Sequence, residues 1–340
     1  MTRERRENVA ILGGGSWGTA LAHLLATSGH NVALWVFEPE LAEEMRATRV
    51  NRVFLPQTTL PDSVLVTNDM NEALAGRGAV ISMGPSAFAR AVCSQAAPLI
   101  SGDVVVLNAA KGLEPQTLKR MSEVLEEVFP NVGAGGIATF SGPTFAKEVA
   151  KRRPTAAVIA SKRLETARRF QRMLSCSYFR LYTNSDVVGV EFGGALKNIV
   201  AIASGIVEGL GLGPNTQAAL ITRGLSEMTR LGAANGAKPA TFQGLSGIGD
   251  LVLTCTSRLS RNFTVGLELA QGKRLKQILD GMSMVAEGVG TSKSALQLSN
   301  MCNVEMPITE QMCEVMFEDK PPDEAVKELM ARPLRDEMSW

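Results

Sequence analysis

The feature that most constrains the fold is a glycine pattern between a short apolar segment and an apolar segment of helical period. Residues 8–12 (NVAIL) predict a strand, Gly13, Gly15 and Gly18 follow in G-x-G-x-x-G spacing, and apolar residues recur with helical periodicity over 20–25. The three glycines allow a tight turn, close approach of the backbone to a pyrophosphate, and packing of helix on strand. The sequence therefore predicts a dinucleotide-binding turn, and a purely structural glycine turn is the alternative for the motif alone.

The end of the second predicted strand indicates which dinucleotide binds. This strand covers residues 31–37 and ends in Phe37, which can stack on an adenine, and Glu38 follows it. An acidic residue about 20 positions after the glycines favours the free 2′-hydroxyl of NAD. No lysine or arginine stands there to pair with a 2′-phosphate. We therefore expect NAD(H), NADP(H) or both as cofactor, without a strong preference for NADP(H).

Further short apolar runs alternate with helical segments, which predicts a parallel sheet with crossover helices. Ligands of such sheets bind beyond the carboxyl ends of the strands. Lys111 follows one predicted strand, and Gly142 and Thr144 follow the next, with Pro143 suited to begin a helix. The predicted strands are 79–83, 103–108, 137–140 and 155–160.

From about residue 186 the strand pattern stops and only helical patterns follow. The sequence thus predicts an α/β protein with a Rossmann-type dinucleotide-binding domain at residues 1–188 and an all-helical substrate and catalytic domain at 189–340. The predicted helices of the second half cover 189–208, 215–235, 263–271, 291–301, 309–317 and 322–329.

Lys197 is the strongest candidate for proton transfer. It is the only charged residue between Phe192 and Val207, and a lone ammonium in an apolar run is costly to bury without a partner. The two histidines, His23 in the first helix and His30 in its closing turn, lie away from the carboxyl ends of the strands. The alternative is a lysine that extends along its helix to reach solvent.

Three further features of the second half suggest chemistry. Asp250 is the only charge between Gln243 and Ser257, and Lys197 is its expected partner. Arg261 offers a planar guanidinium suited to a phosphate, whereas Arg258 fits a solvated loop. Glu287 is expected in a glycine-rich turn after a helix, where it can cap a helix or contact the cofactor.

Composition excludes several classes of protein. The net charge of +1 argues against a nucleic-acid partner, and the absence of an apolar run of about 18 residues argues against a membrane span. Five cysteines without C-x-x-C spacing, and with no histidine nearby, predict neither a disulfide framework nor a metal site. With no signal-peptide pattern at the start, we expect a cytoplasmic protein, and the apolar helical half suggests a homodimer.

With these residues in place, the sequence resembles the NAD(P)-dependent glycerol-3-phosphate dehydrogenase family of the bacterial type. The matching segments run in order through nearly the whole chain: GGGSWGTALA (13–22), NAAKGLE (108–114), SGPTFAKE (141–148), GGALKNIVAIASG (193–205), ALITRGLSEM (219–228), GIGDLVLTC (247–255), SRN (260–262) and EMPITE (305–310).

The resemblance implies interconversion of dihydroxyacetone phosphate and sn-glycerol 3-phosphate for phospholipid synthesis, and it implies roles for individual residues. Lys197 would be the proton donor and acceptor, with Asp250 and Lys111 as further catalytic residues. The implied substrate contacts are Lys111, Gly142, Thr144, Lys197, Asp250, Ser260, Arg261 and Asn262. The implied cofactor contacts are Gly13, Gly15, Ser16, Trp17, Gly18, Phe37, Lys111, Ala146, Arg261, Val285 and Glu287.

Phe37 departs from the His or Arg that many bacterial members carry, which again speaks against a strong NADP(H) preference. Two other functions fit parts of the pattern. A lysine-based Rossmann dehydrogenase acting on a β-hydroxy acid would also use Arg261, for a carboxylate. A non-catalytic dinucleotide sensor would need the glycine motif but would have no reason to isolate Lys197 and Asp250 in apolar runs.

Overall fold

The computed structural model describes residues 6–101, 103–282, 284–334 and 336–337. The chain separates into two compact units. The first contains residues 1–111 and 121–190, and the second contains residues 112–120 and 191–340. The α/β class with a Rossmann-type first part and a helical second part is confirmed.

The first unit is built on an eight-stranded sheet and a two-stranded hairpin. The sheet has the strand order β10-β9-β8-β7-β6-β1-β2-β5, and β3 pairs with β4 in the hairpin. The strands are β1 (Asn8–Leu12), β2 (Asn31–Trp35), β3 (Val50–Asn51), β4 (Leu55–Thr59), β5 (Leu65–Thr67), β6 (Ala79–Ser82), β7 (Val105–Asn108), β8 (Ile137–Ser141), β9 (Thr155–Ser161) and β10 (Phe179–Asn184).

The prediction of a parallel sheet is right for six strands and wrong for the last two. Strands β5, β2, β1, β6, β7 and β8 run parallel, but β9 pairs with β8 in the antiparallel sense, and β10 runs parallel to β9. All six predicted strands exist, whereas β3, β4, β5 and β10 were not predicted. Strands β3 and β5 have only two and three residues and β4 contains a proline, which makes all three weak signals in one sequence. The alternation of buried and exposed residues along β10, by contrast, is a strand pattern that was overlooked.

Helices cover the sheet in the first unit and make up most of the second. They are α1 (Ser16–Thr27), α2 (Pro39–Thr48), α3 (Met70–Leu74), α4 (Ser86–Ala96), α5 (Met121–Val128), α6 (Gly133–Gly136), α7 (Ala146–Ala150), α8 (Leu164–Leu174), α9 (Val187–Gly209), α10 (Gly213–Ala234), α11 (Asp250–Cys255), α12 (Arg261–Ala270), α13 (Leu275–Asp280), α14 (Glu287–Met301), α15 (Pro307–Phe317) and α16 (Pro322–Met330). Short 3₁₀ turns cover Ala97–Leu99 and Pro239–Gln243, and a π turn covers Leu245–Gly249. All six predicted helices of the second half are present.

Two predicted helix starts are wrong. Helix α7 begins at Ala146 rather than at Pro143, because residues 142–145 first continue from β8 in non-helical conformation. Helix α14 begins at Glu287, so this residue lies in the first turn of a helix and not in a glycine-rich turn. The glycines at 288 and 290 are helical here, against their usual preference.

Helix α9 is mostly apolar and is buried in the helical unit from Glu191 onward, with Glu191, Lys197 and Asn198 as buried polar residues. By length and composition it could cross a membrane, with a mean hydropathy of 1.4. In the structure, 94% of its most apolar stretch is buried inside the protein. A buried core helix is the expected outcome for a helix that is hydrophobic all round.

Glycines let α9 and α12 cross with their backbones nearly in contact. A Cβ added to Gly205 would lie 2.0 Å from the Phe263 carbonyl oxygen, and one added to Gly266 would lie 1.9 Å from the Ile202 carbonyl oxygen. Both distances are far below any normal contact, so only glycine fits at either position. The close crossing fixes the positions of the side chains one turn before it on α9.

Candidate active site

The glycine turn after β1 has the geometry that a bound pyrophosphate requires. Gly13 adopts φ +133°, and a Cβ on Gly18 would lie 1.9 Å from the Gly13 carbonyl oxygen. A Cβ on Gly15 would meet nothing within 4 Å, so the space in front of the turn is open. The first turn of α1, which starts at Ser16, carries no acidic residue to offset its positive dipole end. The residues present therefore fit a dinucleotide phosphate.

The other cofactor candidates of the first unit differ in exposure. Phe37 is 67% exposed and lies just past the end of β2, in an edge-to-face contact with Trp35. Glu38 is exposed and precedes the first turn of α2. Trp17, by contrast, packs its ring against Phe140, with 5.7 Å between the ring centroids.

The loops after β7 and β8 bring three candidate residues together. The Lys111 ammonium donates a hydrogen bond to the Gly142 carbonyl oxygen at 3.1 Å, and the Thr144 hydroxyl donates to the same oxygen at 3.2 Å. Asn108 stabilises the backbone just before Lys111. Its side chain accepts from the Ala110 N–H and donates to the Ala110 carbonyl, both at 3.1 Å. Half-buried Ala146 follows as the first residue of α7.

In the helical unit, Lys197 lies in a buried polar cluster. Its ammonium is 2.5 Å from the Asp250 carboxylate and 2.7 Å from the Thr254 hydroxyl oxygen, and Lys197 and Asp250 are 6% and 1% exposed. The Thr254 hydroxyl donates to the Asp250 carbonyl oxygen at 2.6 Å. Because its hydrogen is used there, Thr254 presents a lone pair that accepts from the Lys197 Nζ atom.

A close backbone approach explains why these groups meet. A Cβ on Gly193 would lie 2.3 Å from the Ser246 carbonyl oxygen, so α9 and the π turn before α11 touch at this point. Lys197 follows Gly193 by one helical turn on the same face of α9. Asp250, the first residue of α11, and Thr254, one turn later, are thereby directed at the Lys197 side chain.

Amide side chains join α9, α12 and α14 on a neighbouring face. Asn262 donates to the Asn198 side-chain oxygen at 2.9 Å and accepts from the Gly288 N–H at 2.9 Å. A Cβ on Gly288 would lie 2.7 Å from the Asn198 carbonyl oxygen, so the start of α14 fits closely against α9. These bonds hold the N-termini of α12 and α14 side by side.

The remaining candidates of the second unit lie at these two N-termini. Ser260 caps α12 by accepting from the Phe263 N–H at 3.2 Å. Arg261 begins α12, and its guanidinium donates to the Val285 carbonyl oxygen at 2.6 Å. The first turn of α12 contains no acidic residue, whereas the first turn of α14 contains Glu287. An anion is therefore favoured at α12 rather than at α14.

The thiol next to this cluster is not a competing nucleophile. Cys255 is fully buried, and burial raises the pKa of its thiol to about 12. A protonated, inaccessible thiol is inert. All five cysteines of the chain are free. Among the residues that the structure describes, no group of three or more His, Cys, Asp or Glu could hold a metal ion.

Comparison with known proteins identifies the family. The sequence profile of the NAD-dependent glycerol-3-phosphate dehydrogenase N-terminus matches residues 8–167, and that of the C-terminus matches residues 186–327. The chain belongs to the NAD-dependent glycerol-3-phosphate dehydrogenase family.

Individual members of this glycerol-3-phosphate dehydrogenase family match over nearly their full length. The chain is 56% identical over 326 residues to the glycerol-3-phosphate dehydrogenase (NAD(P)+) of Geobacter metallireducens, covering 96% of this chain and 97% of that one. It is 53% identical to the enzyme of Geobacter sulfurreducens, covering 97% and 99%. The crystal structure of glycerol-3-phosphate dehydrogenase from Coxiella burnetii superposes with a TM-score of 0.92 at 39% identity, covering 96% and 99%.

Sequence reasoning missed several side chains that support the backbone or the side chains of the candidate site. Thr254 lies four residues after Asp250, so helical spacing could have revealed it as a second partner of Lys197. Asn108 directly precedes the Lys111 loop, and an Asn at that place is typical of a local side-chain turn. Asn51 gave no local signal, because it contacts residues more than 30 positions away.

Proposed function

We propose that this protein is a nicotinamide-dependent dehydrogenase that interconverts dihydroxyacetone phosphate and sn-glycerol 3-phosphate and so supplies the backbone of phospholipids. The observation that carries the proposal is the buried Lys197 ammonium held by Asp250 and Thr254, in a chain of this family. An isolated ammonium fixed on a buried carboxylate suits a group that gives and takes one proton. A non-catalytic protein that only binds a dinucleotide would gain nothing from a buried lysine held in this way.

The cofactor site proposed here is the glycine turn with its flanking residues. Gly13, Gly15 and the first N–H groups of α1 would hold the pyrophosphate, and exposed Phe37 would stack on the adenine. When bound, the nicotinamide supplies the hydride. The protein's own contribution is to position the dinucleotide and the substrate and to move the proton.

We assign the proton transfer to the Lys197 Nζ atom. During reduction, the C2 carbonyl oxygen of the substrate becomes an alkoxide, and an ammonium directed at that oxygen stabilises the charge and can give it a proton. Asp250 and Thr254 keep the Nζ atom in a single position. We assign Lys111, held by the Gly142 carbonyl, to orienting the substrate, with Thr144 beside it.

We assign the substrate phosphate to the N-terminus of α12. Ser260 and Asn262 fix this end of the helix, its first turn lacks an acid, and Arg261 adds a guanidinium. Backbone N–H groups together with arginine make a strong phosphate site. Val285 and Glu287, next to Arg261, remain proposed cofactor contacts.

The direct test is a steady-state assay with the purified protein. We expect oxidation of the reduced cofactor by dihydroxyacetone phosphate, and reduction of the oxidised cofactor by sn-glycerol 3-phosphate but not by its mirror image. Product should form in proportion to cofactor consumed. Absence of turnover in both directions, with a folded protein that binds the cofactor, would contradict the proposal.

The Arg261→Ala variant should bind the phosphorylated substrate more weakly. Loss of a charge-assisted contact should cost about 1.5–3 kcal/mol of binding free energy, which lowers kcat/KM for dihydroxyacetone phosphate by about 10–150-fold. Arg258→Ala is the matched control, because Arg258 is exposed and only reaches Glu208 at 3.5 Å. Unphosphorylated dihydroxyacetone should lose little in either variant. Equal losses for both substrates in Arg261→Ala would remove Arg261 from the phosphate site.

The cofactor preference should not favour NADPH strongly. Exposed Glu38 places a negative charge beside the proposed ribose site, and like charges disfavour a 2′-phosphate. We expect NADH to be used at least comparably to NADPH, and Phe37→Arg to shift the kcat/KM ratio toward NADPH. Phe88→Arg, at another exposed phenylalanine on α4, is the control for added charge. A wild-type preference for NADPH beyond about tenfold, or ~1.4 kcal/mol, would contradict this assignment.

Domain division, oligomeric state and location complete the proposal. We keep residues 1–188 as the dinucleotide-binding domain and 189–340 as the catalytic domain. We propose a homodimer because the helical half is apolar. We propose a cytoplasmic location because the five cysteines are free. Sedimentation at several protein concentrations tests the dimer, because a monomer at all of them would contradict it.

A further inference from the structure

Asn51 is fully buried in the β3–β4 hairpin, yet its side chain reaches the glycine turn. Its amide nitrogen donates to the Gly14 carbonyl oxygen at 2.6 Å and to the Thr19 hydroxyl oxygen at 2.8 Å, and its amide oxygen accepts from the Phe54 N–H at 3.0 Å. The amide nitrogen therefore donates two hydrogen bonds, and the amide oxygen accepts one. The assignment of nitrogen and oxygen follows from the chemistry, since only the nitrogen can donate to a carbonyl.

The bond to Gly14 determines where the next N–H points. The peptide between Gly14 and Gly15 is planar and trans, so its carbonyl and its N–H point in opposite directions. With the carbonyl held inward by Asn51, the Gly15 N–H is directed outward. The open space beside Gly15 lies in front of this turn, where the pyrophosphate is proposed to bind.

Backbone bonds fix the two ends of the turn, where the Gly13 N–H donates to the Trp35 carbonyl and the Thr19 N–H donates to the Gly15 carbonyl, both at 3.0 Å, but neither involves the Gly14 carbonyl. Glycine has more conformational freedom than any other residue, and three of them follow one another at 13–15. A Cβ on Gly14 would lie 2.8 Å from a Val36 methyl group. Val36 therefore limits how closely the Gly14 backbone can approach β2, but it does not determine the orientation of the Gly14–Gly15 peptide plane. The Thr19 hydroxyl reaches the Gly14 carbonyl only at 3.5 Å. Asn51 makes the short, directional contact.

We propose that Asn51 is a positioning residue for the cofactor, which orients the Gly14–Gly15 peptide so that its N–H faces the dinucleotide pyrophosphate. The proposal rests on the cofactor site of the proposed function. Asn51 does not touch the cofactor, and its effect passes through the backbone of the turn. The hairpin that carries Asn51 thereby becomes part of the dinucleotide site, although it lies outside the main sheet.

Two substitutions of Asn51 and one control test the proposal. Asn51→Asp keeps the shape and the acceptor for Phe54 but places an oxygen against the Gly14 carbonyl, and Asn51→Ala removes the side chain. The control is Leu60→Ala, just after β4, which removes buried apolar volume without a polar contact to the turn. For each protein we would measure the Kd of NADH by fluorescence, the urea unfolding midpoint, and kcat and KM with dihydroxyacetone phosphate.

We expect both Asn51 variants to bind NADH about tenfold or more weakly, the range of one misdirected buried donor. Their kcat at saturating NADH should stay within about twofold of wild type. Leu60→Ala should lower the unfolding midpoint but leave the Kd of NADH within about twofold, since it alters packing away from the turn. Unchanged NADH binding in a folded Asn51 variant, or an equal loss in Leu60→Ala, would overturn the proposal.

A second variant keeps the test decisive if the Asn51 variants do not fold. Thr19→Val keeps Asn51 but removes the hydroxyl oxygen that accepts from its amide at 2.8 Å. The amide then loses one of the contacts that hold it against the Gly14 carbonyl, and NADH should bind a few-fold more weakly. Unchanged binding in Thr19→Val would overturn the proposal in that case. Failure of the proposed function gives a different result, because a folded wild-type protein would then not turn over dihydroxyacetone phosphate whatever the Asn51 variants bind.

Discussion

Replacing Lys197 with methionine should lower kcat for dihydroxyacetone phosphate reduction by about 10²–10⁴-fold, the usual loss for a general acid. Methionine keeps most of the side-chain volume and removes only the charge and the proton. The Kd of NADH should remain close to the wild-type value, because the proposed cofactor contacts to phosphate lie in the glycine turn of the first unit. A variant that keeps more than about a tenth of wild-type kcat would contradict the assignment.

The same substitution also destabilises the protein, and the two effects have to be separated. Loss of the ammonium leaves the Asp250 carboxylate buried without this cation, and breaking a buried ion pair costs about 3–5 kcal/mol. The double variant Lys197→Met with Asp250→Asn removes both charges. We expect it to recover most of the lost unfolding free energy without recovering kcat. Recovery of activity together with stability would show that Lys197 serves the fold and not the chemistry.

Replacing Gly266 with alanine should destabilise the helical unit by about 3 kcal/mol or more, as expected when a well-packed contact is overfilled. The added Cβ would lie 1.9 Å from the Ile202 carbonyl oxygen and 3.0 Å from the Ile206 nitrogen. Backbone atoms cannot move aside as a flexible side chain can, so α9 and α12 must separate. The Asn198–Asn262 hydrogen bond near this crossing should then be lost as well. Urea unfolding measures the free-energy change.

Gly290→Ala is the matched control for the helix substitution. Gly290 lies in α14 of the same unit, and a Cβ there would meet nothing within 4 Å. Because alanine is the better helix former by up to about 1 kcal/mol, this variant should be equally or more stable than wild type. A loss in Gly290→Ala as large as that in Gly266→Ala would mean that close helix crossing is not the cause.

The sequence predicted those parts of the fold that have a strong local pattern. The strand at 8–12 and the long helices of the second half are confirmed because their apolar residues recur with a clear period. The direction of β9 was predicted wrongly, because a buried apolar strand looks the same whichever way it runs. The start of α14 was misplaced because glycines at 288 and 290 suggested a turn, while contacts with Asn198 and Asn262 stabilise a helix there.

The residues of the candidate site also divide into those with a local sequence signal and those without one. Lys197 and Asp250 stood out because each is an isolated charge in an apolar run, and the structure brings them within 2.5 Å of each other. Asn262 was named from the resemblance, but the hydrogen-bond partners of the amides at 51, 198 and 262 could not be predicted, because they lie far along the chain. Asparagine is common in loops, so a buried, fully bonded asparagine is visible only in three dimensions.

The most direct test of the central claim compares two substrate classes with one enzyme preparation. A phosphorylated ketone, dihydroxyacetone phosphate, and a β-keto acid that also carries a negative charge would be reduced with NADH under identical conditions. We expect kcat/KM for dihydroxyacetone phosphate to exceed that for the β-keto acid by about 10²-fold or more, the scale of discrimination by buried polar contacts. Equal or higher kcat/KM with the β-keto acid would contradict the account and would favour a Rossmann dehydrogenase acting on β-hydroxy acids.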